Sequence, residues 1–188
     1  MFALERRGFS LLETIIAIAV LTLAMTAVFT LVSSGIRSIS ASADELTAYF
    51  LASEGLEYIR NIRDGNIISV PPHPAFDDAV FGPCITSSGC FVDSRAAGGA
   101  GVIASCDPAL GCPPLRFNRE GGFYNHDVVV TRTNEDSIFT RQITMTCISP
   151  TIPCEEYRVL ATMTWRHSTA QYDIRSFALR ADLFNTAF

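Results

Sequence analysis

One carboxylate, Glu13, lies at the beginning of a long apolar stretch of this chain. No charged residue follows it from Thr14 to Ile36, whereas Arg6 and Arg7 stand shortly before it. A charge placed in hydrocarbon costs about 2.5–3.5 kcal/mol even on lenient insertion scales, so such a residue is a functional candidate by default. The chemistry open to Glu13 is ion pairing with a cation that enters the same apolar surroundings.

A cut in the chain after Gly8 would create such a cation. Phe9 would become the new N-terminus, and an α-amine with an ordinary pKa of about 7.7–8.0 is largely protonated at neutral pH. This amine would lie four residues before Glu13, about one helical turn away. In two identical helices packed with an axial stagger, the amine of one meets the carboxylate of the next. Extraction from lipid would then be coupled to ordered assembly.

Six cysteines are the second set of residues with chemistry of their own. They fall in three close pairs along the chain: Cys84 and Cys90, Cys106 and Cys112, and Cys147 and Cys154. Six cysteines allow 15 connectivities, and spacing alone does not choose among them, although three short local loops are the simplest pattern. Since no C-x-x-C spacing occurs, the cysteines favour structural disulfides in an exported domain over catalysis or metal binding.

The other candidates for catalysis or metal binding are weak. Asp77 and Asp78 form a carboxylate pair suited to calcium, but further ligands at suitable offsets are lacking. A glycine-rich segment at 98–101 lacks the Lys-Ser/Thr that a phosphate loop requires. The three histidines have no metal-ligand spacing, and we expect them in loops or turns: His73, His126 and His167. We therefore expect no enzymatic activity, no metal and no cofactor.

The apolar stretch predicts a retained membrane helix. Phe9 to Val32 would form a helix about 36 Å long, enough to cross a bilayer, whereas the apolar core of a cleaved secretory signal has roughly 7–15 residues. Arg6 and Arg7 before the span outweigh Arg37 behind it, which places the N-terminus in the cytoplasm. The net charge of −5 argues against a general binder of nucleic acid or anionic membranes.

The membrane helix is predicted to continue as an amphipathic helix. Apolar residues recur at nearly helical spacing up to the stop signal Asp64-Gly65-Asn66, so we predict one helix over about 9–63 with a weak point at Ser33-Ser34-Gly35. Gly55 inside it marks a close packing contact or a bend. The apolar positions are Leu46, Tyr49, Phe50, Leu56, Ile59 and Ile62.

Strands dominate the last third of the chain. We predict strands at Asp127–Thr133, at Ile138–Ile148, after Pro153 and at Gln171–Leu183, with turns at Asn134–Ser137 and His167–Ala170 and a bulge near Arg175. Within 65–123 only short strands around Cys90–Val92 and Gly101–Ala104 are expected. The predicted fold is α+β: a long N-terminal helix, transmembrane in its first half, packed on an antiparallel meander of about four strands. The predicted parts are 1–8, 9–36, 37–64, 65–123 and 124–188: a leader, the membrane helix, its amphipathic continuation, a disulfide-stapled loop region and the sheet.

The N-terminal segment resembles that of a known family. Gly8-Phe9-Ser10-Leu11-Leu12-Glu13, after a basic leader and before an apolar helix, is similar to the type III signal of type IV pilins and pseudopilins. The resemblance implies cleavage between Gly8 and Phe9 by a prepilin peptidase, N-methylation of Phe9, and a role for Glu13 in filament assembly. It also implies the pilin-like fold, an inner-membrane location before assembly, and other pilin or pseudopilin subunits as partners. Because of the negative net charge, we expect no direct contact to nucleic acid.

The subtype rests on two further features. Residues 51–64 resemble the helix end of minor pilins of the pilus-modification type, and the apolar helix has no proline, whereas many major pilins carry one there. These features favour a minor type IV pilin. A minor pseudopilin of a type II secretion system shares every N-terminal feature and remains an alternative. A signal-anchored exported enzyme or binding domain that never assembles is a second alternative, and for it Gly8 and Glu13 would be dispensable.

Overall fold

The computed structural model describes residues 10–69, 75–95, 101–126, 134–149, 154–166 and 173–185. These ranges contain two helices and seven strands, which confirms the α+β class. The chain divides into two compact units after Ala43. The helices and strands are α1 (Leu11–Ile68), α2 (Asp78–Ile85), β1 (Cys90–Asp93), β2 (Val102–Ser105), β3 (Pro114–Asn118), β4 (Phe123–Asn125), β5 (Asn134–Cys147), β6 (Glu156–Arg166) and β7 (Ile174–Phe184).

Helix α1 is longer than predicted. It is helical throughout its 58 residues, so neither the Ser33–Gly35 weak point nor the predicted stop at Asp64 interrupts it. Glycine inside a helix costs up to about 1 kcal/mol relative to alanine. Gly35 and Gly65 both lie within α1 despite this cost. At the C-terminal end of α1, the Ser69 hydroxyl donates to the carbonyl of Asn66 at 2.7 Å, so this carbonyl of the last turn has a partner.

The face that α1 buries in the second unit differs from the predicted one. Leu56 and Ile59 are buried as predicted, whereas Leu46, Tyr49 and Phe50 are exposed. Small residues take their place at the sheet, because the full set of buried α1 positions is Ala48, Leu51, Ala52, Gly55, Leu56 and Ile59. Large side chains at these positions would hold the helix further from the sheet.

Gly55 lies at a close packing contact between α1 and β5, which is one of its two predicted roles. A Cβ atom at this position would lie 3.0 Å from Cδ of Arg141 and 3.1 Å from Cδ1 of Ile143. These distances are shorter than ordinary van der Waals contacts. The glycine therefore sets how near the helix lies to strand β5.

All seven strands belong to one antiparallel sheet among the described residues, more than the four or so predicted. β5 is central. On one side it pairs with β6, which pairs in turn with β7. On the other side it pairs with both β1 and β3, which pair with β2 and β4, respectively. β6 and β7 pair over 11 consecutive positions, from Glu156 opposite Phe184 to Arg166 opposite Ile174. β5, β6 and β7 thus form the predicted meander.

Several boundaries of the sheet differ from the prediction. Segment 65–123 is not an irregular loop region throughout, because it contains α2, the three short strands β1 to β3 and the first residue of β4. The predicted turn at Asn134–Ser137 is the beginning of β5, where Asn134–Asp136 pair with β3. The predicted bulge near Arg175 is absent, since the β6–β7 register is unbroken and Ile174 lies on the exposed face. The predicted strand at 127–133 and the turn at 167–170 lie outside the described residues.

A buried arginine connects three elements of the second unit. Arg141 on β5 has a side chain only 3% exposed. Its Nη1 donates to the carbonyl of Leu51 in α1 at 2.6 Å, and its Nη2 donates to the carbonyl of Val92 in β1 at 2.7 Å. Glu54 provides the nearest counter-charge, with Oε2 3.4 Å from Nη1. Burial lowers the pKa of the guanidinium and Glu54 opposes this, but an arginine stays charged.

We expect Arg141→Ala to lower the free energy of unfolding by about 3 kcal/mol, because it leaves two buried carbonyls without their donor and removes packed side-chain atoms. Denaturant unfolding of the full chain in detergent measures the change. Arg158→Ala is the matched control, since this arginine is 40% exposed and pairs with Asp182 on the sheet. Its loss should cost less than about 1 kcal/mol. Equal effects of the two substitutions would contradict the role of Arg141.

Candidate functional site

Glu13 lies in the first turn of α1 with its side chain exposed. The turn is closed by the Thr14 amide, which donates to the carbonyl of Ser10 at 3.2 Å. The first amide groups of a helix have no partner within it and carry partial positive charge, so a carboxylate here is stabilised. Gly8 and Phe9, the predicted cleavage site, lie outside the described residues.

An exposed apolar surface surrounds and follows Glu13. α1 is the one helix of the described ranges that is long and apolar enough to cross a membrane, with a mean hydropathy of 2.6 over its most apolar 18 residues. None of that window is buried, and large side chains such as Leu11, Leu31 and Phe29 are at least 70% exposed. A surface of this kind requires lipid or another protein to cover it.

The threonine hydroxyl groups of this surface are satisfied within the helix. Each threonine donates to a carbonyl three or four residues earlier, at 2.8 to 2.9 Å: Thr14 to Leu11, Thr22 to Ala19, Thr26 to Leu23 and Thr30 to Thr26. A polar group without a partner costs several kcal/mol in hydrocarbon. These bonds make the four threonines compatible with lipid.

Three disulfides staple the second unit. Cys84–Cys90 joins α2 to β1 and both its cysteines are fully buried. Cys106–Cys112 closes a tight loop in which the Asp107 carboxylate accepts hydrogen bonds from the amides of Ala109 and Leu110. Cys147–Cys154 connects the end of β5 to the residue shortly before β6. The described residues contain no free cysteine.

The carboxylate pair at Asp77 and Asp78 begins helix α2. Asp77 is the N-cap, and its carboxylate accepts a hydrogen bond from the Ala79 amide at 2.9 Å. Asp78 lies in the first helical turn, where a negative charge is favourable. Within the part of the chain that the structure describes, no group of three or more His, Cys, Asp or Glu side chains is arranged around a common point for a metal.

His126 is packed against the core and has a perturbed pKa. Its ring lies 4.8 Å from that of Phe91, and its amide donates to the carboxylate of the buried Asp93 at 2.8 Å. Burial is the main cause that lowers the pKa of the imidazole to about 4. The charge of Arg141 lowers it further and that of Asp93 opposes the shift. His126 is therefore neutral at physiological pH. The other two histidines lie outside the described residues.

Two buried charged residues were missed by the sequence reasoning: Arg141 and Asp93. A signal for Arg141 exists in the sequence, since it occupies an inward position in the alternation of β5 between Phe139 and Ile143. A charged residue on an apolar face indicates a buried polar contact. Asp93 follows only three strand residues, so its burial has no comparable signal.

A cavity of about 480 Å³ opens beside the first half of β5, the last residues of β6 and the first residue of β7. Its lining carries one cation, Arg166, and otherwise hydroxyl and apolar side chains: Ser137, Ile138, Thr140, Thr164, Trp165 and Ile174. This lining contains no nucleophile–base pair and no pair of carboxylates for acid–base chemistry. The cavity therefore supplies no basis for a catalytic mechanism.

Comparison with known proteins identifies the N-terminal segment alone. Residues 5–32 match the family described as the prokaryotic N-terminal methylation motif. This range includes the predicted cleavage site, Glu13 and the beginning of the apolar helix. No curated protein and no solved structure matches the chain.

The pKa of His126 predicts that the second unit loses stability in acid. The folded pKa of about 4 lies below the ordinary 6.5, so the unfolded chain binds the extra proton first. The stabilisation is complete above pH 6.5 and is lost as the pH falls towards 4, by up to about 1.4 kcal/mol per pH unit. Unfolding of the full chain in detergent between pH 4 and 7 measures this slope. His126→Gln should reduce it, and an unchanged slope in that variant would contradict the assignment.

Proposed function

We propose that this chain, whose N-terminal segment carries the methylation motif of the type IV pilin and pseudopilin family, is a minor type IV pilin. In this function a prepilin peptidase cuts between Gly8 and Phe9 and methylates the new amine of Phe9. The processed subunit then leaves the inner membrane and joins a filament through α1. The observation that carries the proposal is a single carboxylate in the first turn of a helix whose most apolar 18 residues are all unburied.

The charges at the start of α1 supply the mechanism. The Glu13 carboxylate and the amine of Phe9 each lose hydration when they enter apolar surroundings, and pairing across two subunits offsets that cost. Phe9 stands four residues before Glu13 in the sequence, so in this proposal an axial stagger brings the amine of one subunit to the carboxylate of its neighbour. Processing creates the cation, which means that only cleaved subunits complete the pair.

The two units of the chain suit different stages of this path. The apolar segment of α1 provides the anchor, with Arg6 and Arg7 holding the leader on the cytoplasmic side. The second unit is stapled by three disulfides, which form and persist outside the cytoplasm. A sheet stabilised in this way keeps its fold in the periplasm and on the exterior of a filament.

N-terminal mass analysis of the mature protein tests processing. We expect the chain to begin at Phe9 with a mass increase that corresponds to a methyl group. Gly8→Ala should leave the leader attached, since the peptidase is proposed to require this glycine. A mature protein that begins at Met1, or well beyond Ser33, would contradict the proposal.

Replacing Glu13 by Ala tests assembly. We expect Glu13→Ala to be inserted and cleaved normally, but to enter filaments at least tenfold less, since a tenfold loss corresponds to about 1.4 kcal/mol and the ion pair is worth at least that. Glu45→Ala is the matched control, an exposed carboxylate further along the same helix. Quantifying the subunit in sheared filaments and in membranes measures both.

The same fractions separate the alternatives. Incorporation into a type II secretion pseudopilus rather than a pilus would assign the chain to the pseudopilins. Normal incorporation of Glu13→Ala would remove the ion pair from the mechanism. A chain found only in membranes, with Gly8 and Glu13 both dispensable, would indicate an anchored domain that does not assemble.

A further inference from the structure

β7 is a long edge strand. It pairs with β6 along its whole length of 11 residues, and no described strand lies on its other side. The other outermost strands are far shorter, with four residues in β2 and three in β4. An edge strand presents a row of backbone N–H and C=O groups that can pair with another chain, and short edges limit this tendency. β7 is thus the edge most open to a further strand.

The middle of β7 lacks the features that usually block such pairing. The strand contains no proline, and its register has no bulge. β7 contains three charged residues, Arg175, Arg180 and Asp182, and each is engaged in an ion pair: Arg175 with Asp173 just before the strand, and Arg180 with Asp182. The four residues between Arg175 and Arg180 are uncharged.

An aromatic cluster includes one side chain of this edge strand. The ring of Tyr49 is stacked 6.5 Å from that of Phe177 on β7, and Phe50 lies 5.9 Å from Tyr49. Tyr49 is 49% and Phe50 62% exposed, although both belong to the part of α1 that packs on the sheet. Phe177 is half-buried. The three form an aromatic cluster, and a strand added to β7 would place every second side chain next to it.

We propose that the β7 edge binds an extended strand of a neighbouring protein subunit, with alternate apolar side chains packed on the aromatic cluster Tyr49, Phe50 and Phe177. An extended backbone can satisfy the row of N–H and C=O groups, whereas a helix has its own groups already paired and lipid would leave them unpaired. Main-chain hydrogen bonds provide affinity, and the cluster selects apolar residues at every second position. That the donor is another subunit of the same filament rests on the proposed function.

Photo-cross-linking tests the proposal in the full chain. A photoreactive amino acid is placed at Ser176 and, separately, at Ala178, which are exposed positions on one face of β7. In an added strand, moving the probe by two residues moves the cross-linked residue of the partner by two residues. We expect this stepwise shift, mapped by mass spectrometry of cross-linked peptides. The same probe at Leu110, exposed in the Cys106–Cys112 loop, is the control and should give no such shift.

Substitution of the aromatic cluster provides the second measurement. Phe50→Ser should reduce the yield of the cross-links from Ala178 about tenfold, while Leu110→Ser, which also removes an exposed apolar side chain, should leave it unchanged. Phe50 is mostly exposed, so its loss spares the core.

The outcomes separate this proposal from the proposed function. Filaments that contain the chain but give no stepwise cross-links would overturn strand binding and leave the pilin function intact. Stepwise cross-links in membranes of cells in which the chain never enters filaments would support strand binding and contradict the pilin function. Cross-links scattered over the partner without a two-residue step would also overturn the proposal.

Discussion

The second unit depends on one buried cation. Arg141 donates to a carbonyl in the middle of α1 and to another in β1 while it belongs to β5, so three elements share a single side chain. The charge is costly to bury, and this cost is offset only when the helix lies close enough to accept the hydrogen bond. Gly55 permits that distance, because a side chain there would contact Arg141 and Ile143. Helix position and sheet register are therefore fixed together.

The first unit follows the opposite principle. Its apolar side chains are exposed, and nothing in the described chain covers them. In the proposed function, lipid covers these side chains before assembly and other subunits cover them afterwards. A carboxylate at the head of such a helix is unfavourable in isolation and favourable once a cation arrives. The second unit thus has a core of its own, whereas the first exposes an apolar surface that lipid or another protein must cover.

Much of this organisation is visible in the sequence, for physical reasons that also explain the misses. Uncharged length reveals the membrane helix, and strict alternation in β6 places Val159, Ala161 and Met163 inside. Periodicity failed where small residues did the packing, since Ala48 and Ala52 carry little hydrophobic signal while the exposed Tyr49 and Phe50 carry much. It failed again for β3 and β4, which are too short to show alternation and form through long-range pairing with β5. The inward position of Arg141 in the alternation of β5 is a sequence signal for a buried polar contact, and the prediction did not use it.

The threonines of α1 have a consequence for how such a subunit changes surroundings. A hydroxyl that depended on a neighbouring molecule would hold the helix wherever that neighbour was, and releasing it would add a barrier to each transfer. The hydroxyl groups of Thr22, Thr26 and Thr30 instead donate to carbonyls of their own helix, so these hydrogen bonds do not depend on the surroundings. At these three positions the helix therefore needs no hydrogen-bond partner from the hydrocarbon or protein that lies against it. In the proposed function, the charges at the start of the helix therefore decide between the two environments, and these hydroxyl groups do not have to change partners when the segment passes from one to the other.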